Sequence, residues 1–266
     1  MLEHSDELLI WVEYNLTNLD KQDHQQGLEE IFQNALSQGS PEEKAARYLR
    51  IKKWFRAFNA LAIGICLWAW IYPEPYSAVI GATLALPFLA LLMLWRYQDI
   101  ARFSTKANGP YLDVSIVLLM PGLALGMRSF LDWHVLDWSP FWIPFTAISL
   151  GLLGFALLLV RDIWQKSSSI LLMALFAGIY GLGATVVLNG TLADHNNATI
   201  YHVEVLDKHI AKGNQTTYYL KLAPWGNRSV DDTQVSWKVY SKYEPGDTAK
   251  IRVLTGKFGI PFYCVQ

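Results

Sequence analysis

Residues 141–160 read FWIPFTAISLGLLGFALLLV, twenty consecutive positions without Asp, Glu, Lys or Arg. A helix rises about 1.5 Å per residue, so such a run reaches across the roughly 30 Å hydrocarbon core of a bilayer. Working outward, residues 57–72, 77–95 and 170–188 are equally free of charge, and each has a Trp, Tyr or basic residue near an end where an interface anchor belongs. Four such stretches in 266 residues leave too little polar surface for a water-soluble fold. A fifth, Val114 to Met127, is shorter and lies between Asp113 and Arg128 with Pro121 in its middle. It spans if Tyr111 and Phe130 mark the interfaces, with Arg128 snorkelling outward and Asp113 at the positive end of the helix dipole. A re-entrant segment is the other reading. The expected spans are about 55–72, 77–96, 111–130, 141–160 and 169–189, within a transmembrane bundle covering 51–189.

Composition agrees with lipid contact. The chain is 52% hydrophobic and 14% aromatic, and its 17% charged residues fall below the roughly 25% of soluble domains. Disorder is excluded by the same numbers. With 22 Lys+Arg against 23 Asp+Glu the net charge is −1, so no nucleic-acid partner is expected. Two cysteines, Cys66 in the first span and Cys264 near the end of the sequence, make no disulfide framework and are expected to stay unpaired.

Lys and Arg in short loops set orientation. Lys21, Lys44, Arg47, Arg50, Lys52, Lys53 and Arg56 precede the first span; Arg96, Arg102 and Lys106 follow the second; Arg161 and Lys166 follow the fourth; the opposite side has Arg128 alone. The amino terminus is therefore expected in the cytoplasm, and five crossings leave the tail outside. Without the third crossing the tail would be cytoplasmic. Glu3, Asp6 and Glu7 follow the first Met where a signal peptide would be basic, so the first span is expected to act as the targeting signal.

Residues 1–50 read as a cytoplasmic helical hairpin, with Leu8, Leu9, Val12, Leu16 and Leu19, then Leu28, Ile31, Phe32, Ala35 and Leu36, at helical spacing. Ser40-Pro41-Glu42-Glu43 is a helix start: a capping hydroxyl, a proline suited to the first position and two carboxylates at the positive end. One helix is expected to run from there into the first span. Its basic face, Arg47, Arg50, Lys52 and Lys53, sets topology and is suited to anionic lipid.

From residue 190 the period becomes that of strands. Thr199–Leu206, Thr216–Leu222, Gln234–Tyr240 and Ala249–Leu254 alternate or enrich β-branched and aromatic residues, separated by turns at Lys212-Gly213-Asn214, Pro224-Trp225-Gly226-Asn227 and Pro245-Gly246-Asp247. A small all-β domain, a sheet or partly open barrel over 190–266, follows. Its expected core is Tyr201, Val203, Val205, Tyr219, Leu222, Val239, Ile251, Val253 and Phe262.

The tail residues Val205, Lys208, Gly213, Tyr218-Tyr219-Leu220, Pro224-Trp225, Val235-Ser236, Tyr240, Gly246-Asp247 and Gly259-Ile260-Pro261-Phe262-Tyr263 form a pattern over the last quarter of the chain. It resembles the ending of a group of uncharacterised bacterial multi-pass inner-membrane proteins that close in a small β-rich domain. The resemblance implies a bacterial cytoplasmic membrane and a folded β-rich tail. It lends no catalytic residue.

A charge at the bilayer centre costs several kcal/mol and marks relays and pathways. The four clear spans carry none, and Asn59, Thr83, Thr146, Ser149 and Thr185 can bond their own helix or a neighbour. Gly122 and Gly126, Gly81 and Ala85, and Ala174, Gly178 and Gly181 are small pairs suited to close helix packing. Asp132, His134 and His195 are the only candidates for a metal, without HxxxH, CxxC or HExxH to support them, and no cofactor is expected. GxSxG, Walker and GxGxxG sequences are absent. The sequons at Asn189, Asn197, Asn214 and Asn227 are read as turn chemistry.

The expectation is a non-enzymatic multi-pass inner-membrane protein that presents a periplasmic β-domain to an envelope protein, or to itself. Trp225, Trp237, Tyr240 and Tyr243 are the candidate contacts, with filling of the sheet's own core or rest against lipid as their other reading. The alternative is a small transporter or lipid-handling protein whose helices are loosened by Pro87, Pro121 and Pro144.

Overall fold

The computed structural model describes residues 25–29, 31, 33, 40–103, 110–194, 196–212, 216–226 and 228–266. Five long apolar helices precede an antiparallel sheet. The helices are α1 (Pro41–Ile71), α2 (Tyr76–Arg96), α3 (Ser115–Asp132), α4 (Trp142–Leu159) and, after the short α5 (Arg161–Gln165), α6 (Ser167–Thr191). All but the short α5 are long and apolar enough to cross a bilayer. The chain clusters into two compact units, residues 1–127 with 147–184 and residues 128–146 with 185–266.

In the first unit, α1 begins as its sequence dictates. Ser40 accepts from the main-chain N–H of Glu43 and donates its own N–H to the Glu43 carboxylate, a reciprocal cap. The helix then continues unbroken for 31 residues, about 46 Å at the standard rise. The expected hairpin over 1–50 lies largely outside the described residues; within it, residues 25–29 are helical and Ile31 is buried. Asp113 caps α3 by accepting from the Ser115 N–H at 2.6 Å, and α3 runs through Pro121 without a break. Before it, β1 (Ala101–Arg102) and β2 (Leu112–Asp113) form a short parallel pair.

Close packing of helices rests on glycine, although not on every pair that the spacing suggests. A Cβ on Gly122 would lie 2.9 Å from the main-chain nitrogen of Tyr180, and one on Gly183 would run into the backbone of Leu125 and Gly126, so α3 and α6 touch main chain to main chain. Gly81 and Gly178 instead face open space. Tyr180 donates its hydroxyl to the carbonyl of Leu84 at 2.9 Å, joining α6 to α2. Outward faces remain apolar: Trp54, Ile71 and Leu158 are all largely exposed, the last at 85%. Each such side chain forgoes about 1.5–3 kcal/mol if it faces water, and lipid removes that cost.

In the second unit, β3 (His134–Val135), β4 (Thr199–Lys212), β5 (Thr216–Leu222), β6 (Asp231–Val235), β7 (Thr248–Thr255) and β8 (Pro261–Val265) form one antiparallel sheet in the order β3-β8-β7-β4-β5-β6. The sheet curls on itself. Thr233 on β6 hydrogen-bonds Tyr263 on β8 at 3.2 Å although three strands lie between them. Val203, Val205, Leu220, Leu222 and Ile251 fill the concave side, with Tyr201, Val239 and Val253 packed at its margin, and Phe262 is buried.

Two expectations are corrected. Gln234–Tyr240 is strand only as far as Val235, because Ser236 caps a single helical turn, α7 (Trp237–Tyr240), by accepting from the Val239 N–H. Tyr219 points to the face opposite buried Leu220 and stacks on His209 at 5.1 Å rather than entering the core. Strands β3 and β8 were not foreseen from the alternation of residues.

The end of α6 is fixed by Asn189. Its amide donates to the Ile260 carbonyl and accepts from the Phe258 N–H, both at 2.9 Å, while its main-chain oxygen accepts from Lys257. Gly256 has no side chain because the Asn189 amide occupies that space. At 2% exposure Asn189 is no glycosylation acceptor.

Candidate functional site

The curl leaves a seam between the two edges of the sheet, β6 on one side and β3 with the end of α3 on the other. Two grooves occupy it, of about 370 and 340 Å³, and His134 and Gln234 line both. The first is completed by Phe130, Trp133, Trp138, Arg228, Asp232 and Tyr263, the second by Arg128, Asp132, Val239 and Cys264.

Each wall follows from local sequence. Trp225 and Arg228 exchange two main-chain hydrogen bonds across a tight turn, and Gly226 supplies the left-handed φ of 53° that the turn requires. Arg228 is thereby placed 5.1 Å over the Tyr263 ring and 2.6 Å from the Asp231 carboxylate. On the opposite wall Arg128 pairs with Asp132 one helical turn later, at 3.0 Å. Asp232 has the His209 imidazole at 4.0 Å. Trp133 meets Phe262 edge-on, and its indole N–H is buried with no acceptor among the described residues.

His134 bridges the seam. Its ring stacks on Tyr263 at 5.0 Å and hydrogen-bonds the main chain of Gln234. That bond favours the protonated form, so the imidazole donates and the carbonyl accepts. Burial, the largest influence, holds the His134 pKa below its usual value. The Gln234 bond and the Asp231 carboxylate pull the other way, and the Arg228 guanidinium adds to the lowering. Cys264 is pushed up by burial, with Arg252 partly offsetting it. Asp137, fully exposed, is held low by the N–H and hydroxyl of Ser139, both at 2.8 Å.

The metal candidates do not converge among the described residues. Asp132 is in its ion pair, His134 is in the seam, His195 lies outside the described residues, and no three His, Cys, Asp or Glu side chains stand where they would hold an ion. Of the aromatic contact candidates, Trp225, Tyr240 and Tyr243 are buried in the sheet's core, whereas Trp237 is 59% exposed and stacks on Tyr240 at 5.9 Å. In the spans, Thr83 and Thr146 donate to carbonyls one turn back, at 2.9 and 2.7 Å, and the Asn59 amide donates to the Asp113 carbonyl.

No family model, curated protein or solved structure matches this chain.

The seam combines residues that no short motif links. Arg228 and Asp231 are three residues apart, whereas the bond from His134 to Gln234 crosses one hundred positions and leaves no local signal.

Proposed function

We propose that this chain is a non-enzymatic integral membrane protein of the bacterial inner membrane that presents its C-terminal sheet to the periplasm for binding an envelope protein. The observation that carries this reading is the seam: a curled sheet whose edge strand β6 is left without a strand on its outer side, with exposed Trp237 immediately after it. Unpaired edges are interaction surfaces unless covered, and exposed aromatics next to them supply binding energy. The membrane part of the reading draws on the five long apolar helices, and the orientation on the distribution of Lys and Arg.

The transporter alternative has less support. Thr83 and Thr146 are engaged with their own helices, and α2 and α3 run through Pro87 and Pro121 without opening.

The test is a photo-crosslinking residue at position 237 in the full chain, irradiated in living cells. The reading expects a discrete adduct with a periplasmic or outer-envelope protein, lost when the crosslinker is moved to buried Leu222. Adducts with lipid alone, or with cytoplasmic proteins, would refute it.

A further inference from the structure

Arg47, Arg50, Lys53 and Arg56 recur at every third residue of α1, a ridge that winds across the helix face opposite buried Tyr48, Ile51 and Phe55. All four are exposed, and none forms an ion pair with a carboxylate among the described residues. Their depth follows from length. Between Arg56 and the end of α1 at Ile71 the helix is uncharged for fifteen residues, about 22 Å, which falls short of a hydrocarbon core of roughly 30 Å. Such a core reaches about twenty residues back from Ile71, to Lys52. In a bilayer Lys53 and Arg56 therefore run their stems along the helix to bring charge out to the phosphates, while Arg50 and Arg47 stand at the headgroup layer. A second helix marks the same level. Phe55 meets Tyr97 edge-on at 5.8 Å, which sets exposed Trp95 near the end of α2 close to the depth of exposed Trp54, and indoles on a lipid-facing surface gather at that boundary.

From this placement we propose that the ridge at 47–56 is a binding site for anionic phospholipid, its guanidinium and ammonium groups holding headgroup phosphates of the leaflet at this end of α1. The proposal rests on the apolar helices lying in a bilayer and is independent of any partner at the C-terminal sheet. Charge and depth together choose the occupant. Glu42 and Glu43 stand two turns beyond Arg50, outside the headgroup layer, and the Glu43 carboxylate is engaged by the Ser40 N–H at 2.9 Å. Around the α2–α3 connection Asp99 and Asp113 are matched in number by Arg96 and Arg102, so the ridge keeps an excess of positive charge among the described residues. Each basic residue near an anionic surface strengthens attachment about fivefold, a gain that a zwitterionic headgroup of no net charge does not give. Residues 1–40, with eight carboxylates against Lys21 alone, are the competing occupant. Lipid phosphates lie at the depth of the ridge in any bilayer that α1 crosses, and this favours lipid.

The full chain in a neutral detergent is titrated with phosphatidylglycerol and, separately, with phosphatidylcholine of the same acyl chains, and bound lipid is counted by native mass spectrometry. The first phosphatidylglycerol is expected to bind at least tenfold more tightly than the first phosphatidylcholine. Arg50→Gln, Lys53→Gln and Arg56→Gln together reduce that preference to threefold or less. Arg161→Gln with Lys166→Gln, which removes two exposed charges elsewhere in the same unit, leaves it within twofold of the parent. No preference in the parent, as when residues 1–40 occupy the ridge instead, overturns the proposal, and so does an equal loss in the two variants. Should the triple variant fail to fold, the unchanged chain in phosphatidylcholine vesicles holding a small fraction of phosphatidylglycerol with a photoreactive headgroup gives a second measurement. Adducts mapped to 47–56 support the site; adducts confined to other segments, or the same yield there from photoreactive phosphatidylcholine, overturn it. Capture of an envelope protein at position 237 is unaffected by any of these outcomes, so each reading fails separately.

Discussion

Replacing Asn189 is the sharpest test of how the C-terminal unit is built. The amide makes two hydrogen bonds at 2.9 Å to main-chain groups of the β7–β8 turn, in a site where the residue is 2% exposed. Asn189→Leu keeps the branched shape but leaves the Phe258 N–H without a partner, while the Ile260 carbonyl retains only the Gly256 N–H at 3.1 Å. A buried main-chain group stripped of its partner costs about 1–3 kcal/mol, and only the Phe258 N–H is stripped outright, so roughly 1–3 kcal/mol is expected. For a unit of about 100 residues each kcal/mol lowers the unfolding midpoint by about 4–8 °C, giving a fall of at least roughly 4 °C. Fluorescence of the C-terminal tryptophans during a thermal ramp in one detergent measures it, with protease resistance of residues 199–265 as a second probe. Asn189→Asp should be no better, because it keeps the acceptor, loses the donor to Ile260 and buries a charge. A midpoint within 2 °C of the parent for both variants would show that the amide does not hold the turn.

Gly122→Leu should lower the bundle's thermal midpoint by about 1–3 kcal/mol equivalent through overpacking against Tyr180, whereas Gly178→Ala, which meets open space, should be neutral or gain up to about 1 kcal/mol; equal effects would refute the contact. The His134 pKa is lower folded than unfolded, so the unfolded chain binds the extra proton first: stability is full above about pH 7 and declines as pH falls through the ordinary value near 6.5. A pH series of melting midpoints between 8 and 5 should show this decline in the parent and less of it in His134→Phe. Alkaline phosphatase and a green fluorescent protein fused in turn after Gln266 should give an active phosphatase and a dark fluorophore; the reverse pattern would place the tail in the cytoplasm.

The helices were legible because their information is local. Twenty uncharged residues announce themselves, and Ser40-Pro41-Glu42-Glu43 supplies every part of the cap that forms. Glycine spacing was only half legible: Gly122 is at a contact and Gly178 is not, since small residues permit close approach without saying which face is approached. The sheet was legible where strands alternate, as in β5, and illegible where partners are remote. His134-Val135 looks like part of an aromatic loop until Phe262 and Tyr263 lie beside it, and Pro261 at the start of β8 breaks the expected strand pattern. Ser236 caps a helical turn inside a stretch read as strand, because the apolar residues after it suit strand and helical turn equally. The seam was beyond reach, because curl is a property of six strands together.

The pairing of His134-Val135 with Phe262-Tyr263 has a bearing on biogenesis. The first of these segments leaves the ribosome more than a hundred residues before the second, so it must wait, unpartnered, through the insertion of two further apolar helices. Closure of the sheet is thus a late event with a large loop to gather, slow by comparison with helix formation. Throughout that interval the newborn protein exposes edges that its finished form covers, and a chaperone acting on this chain would have that window in which to act.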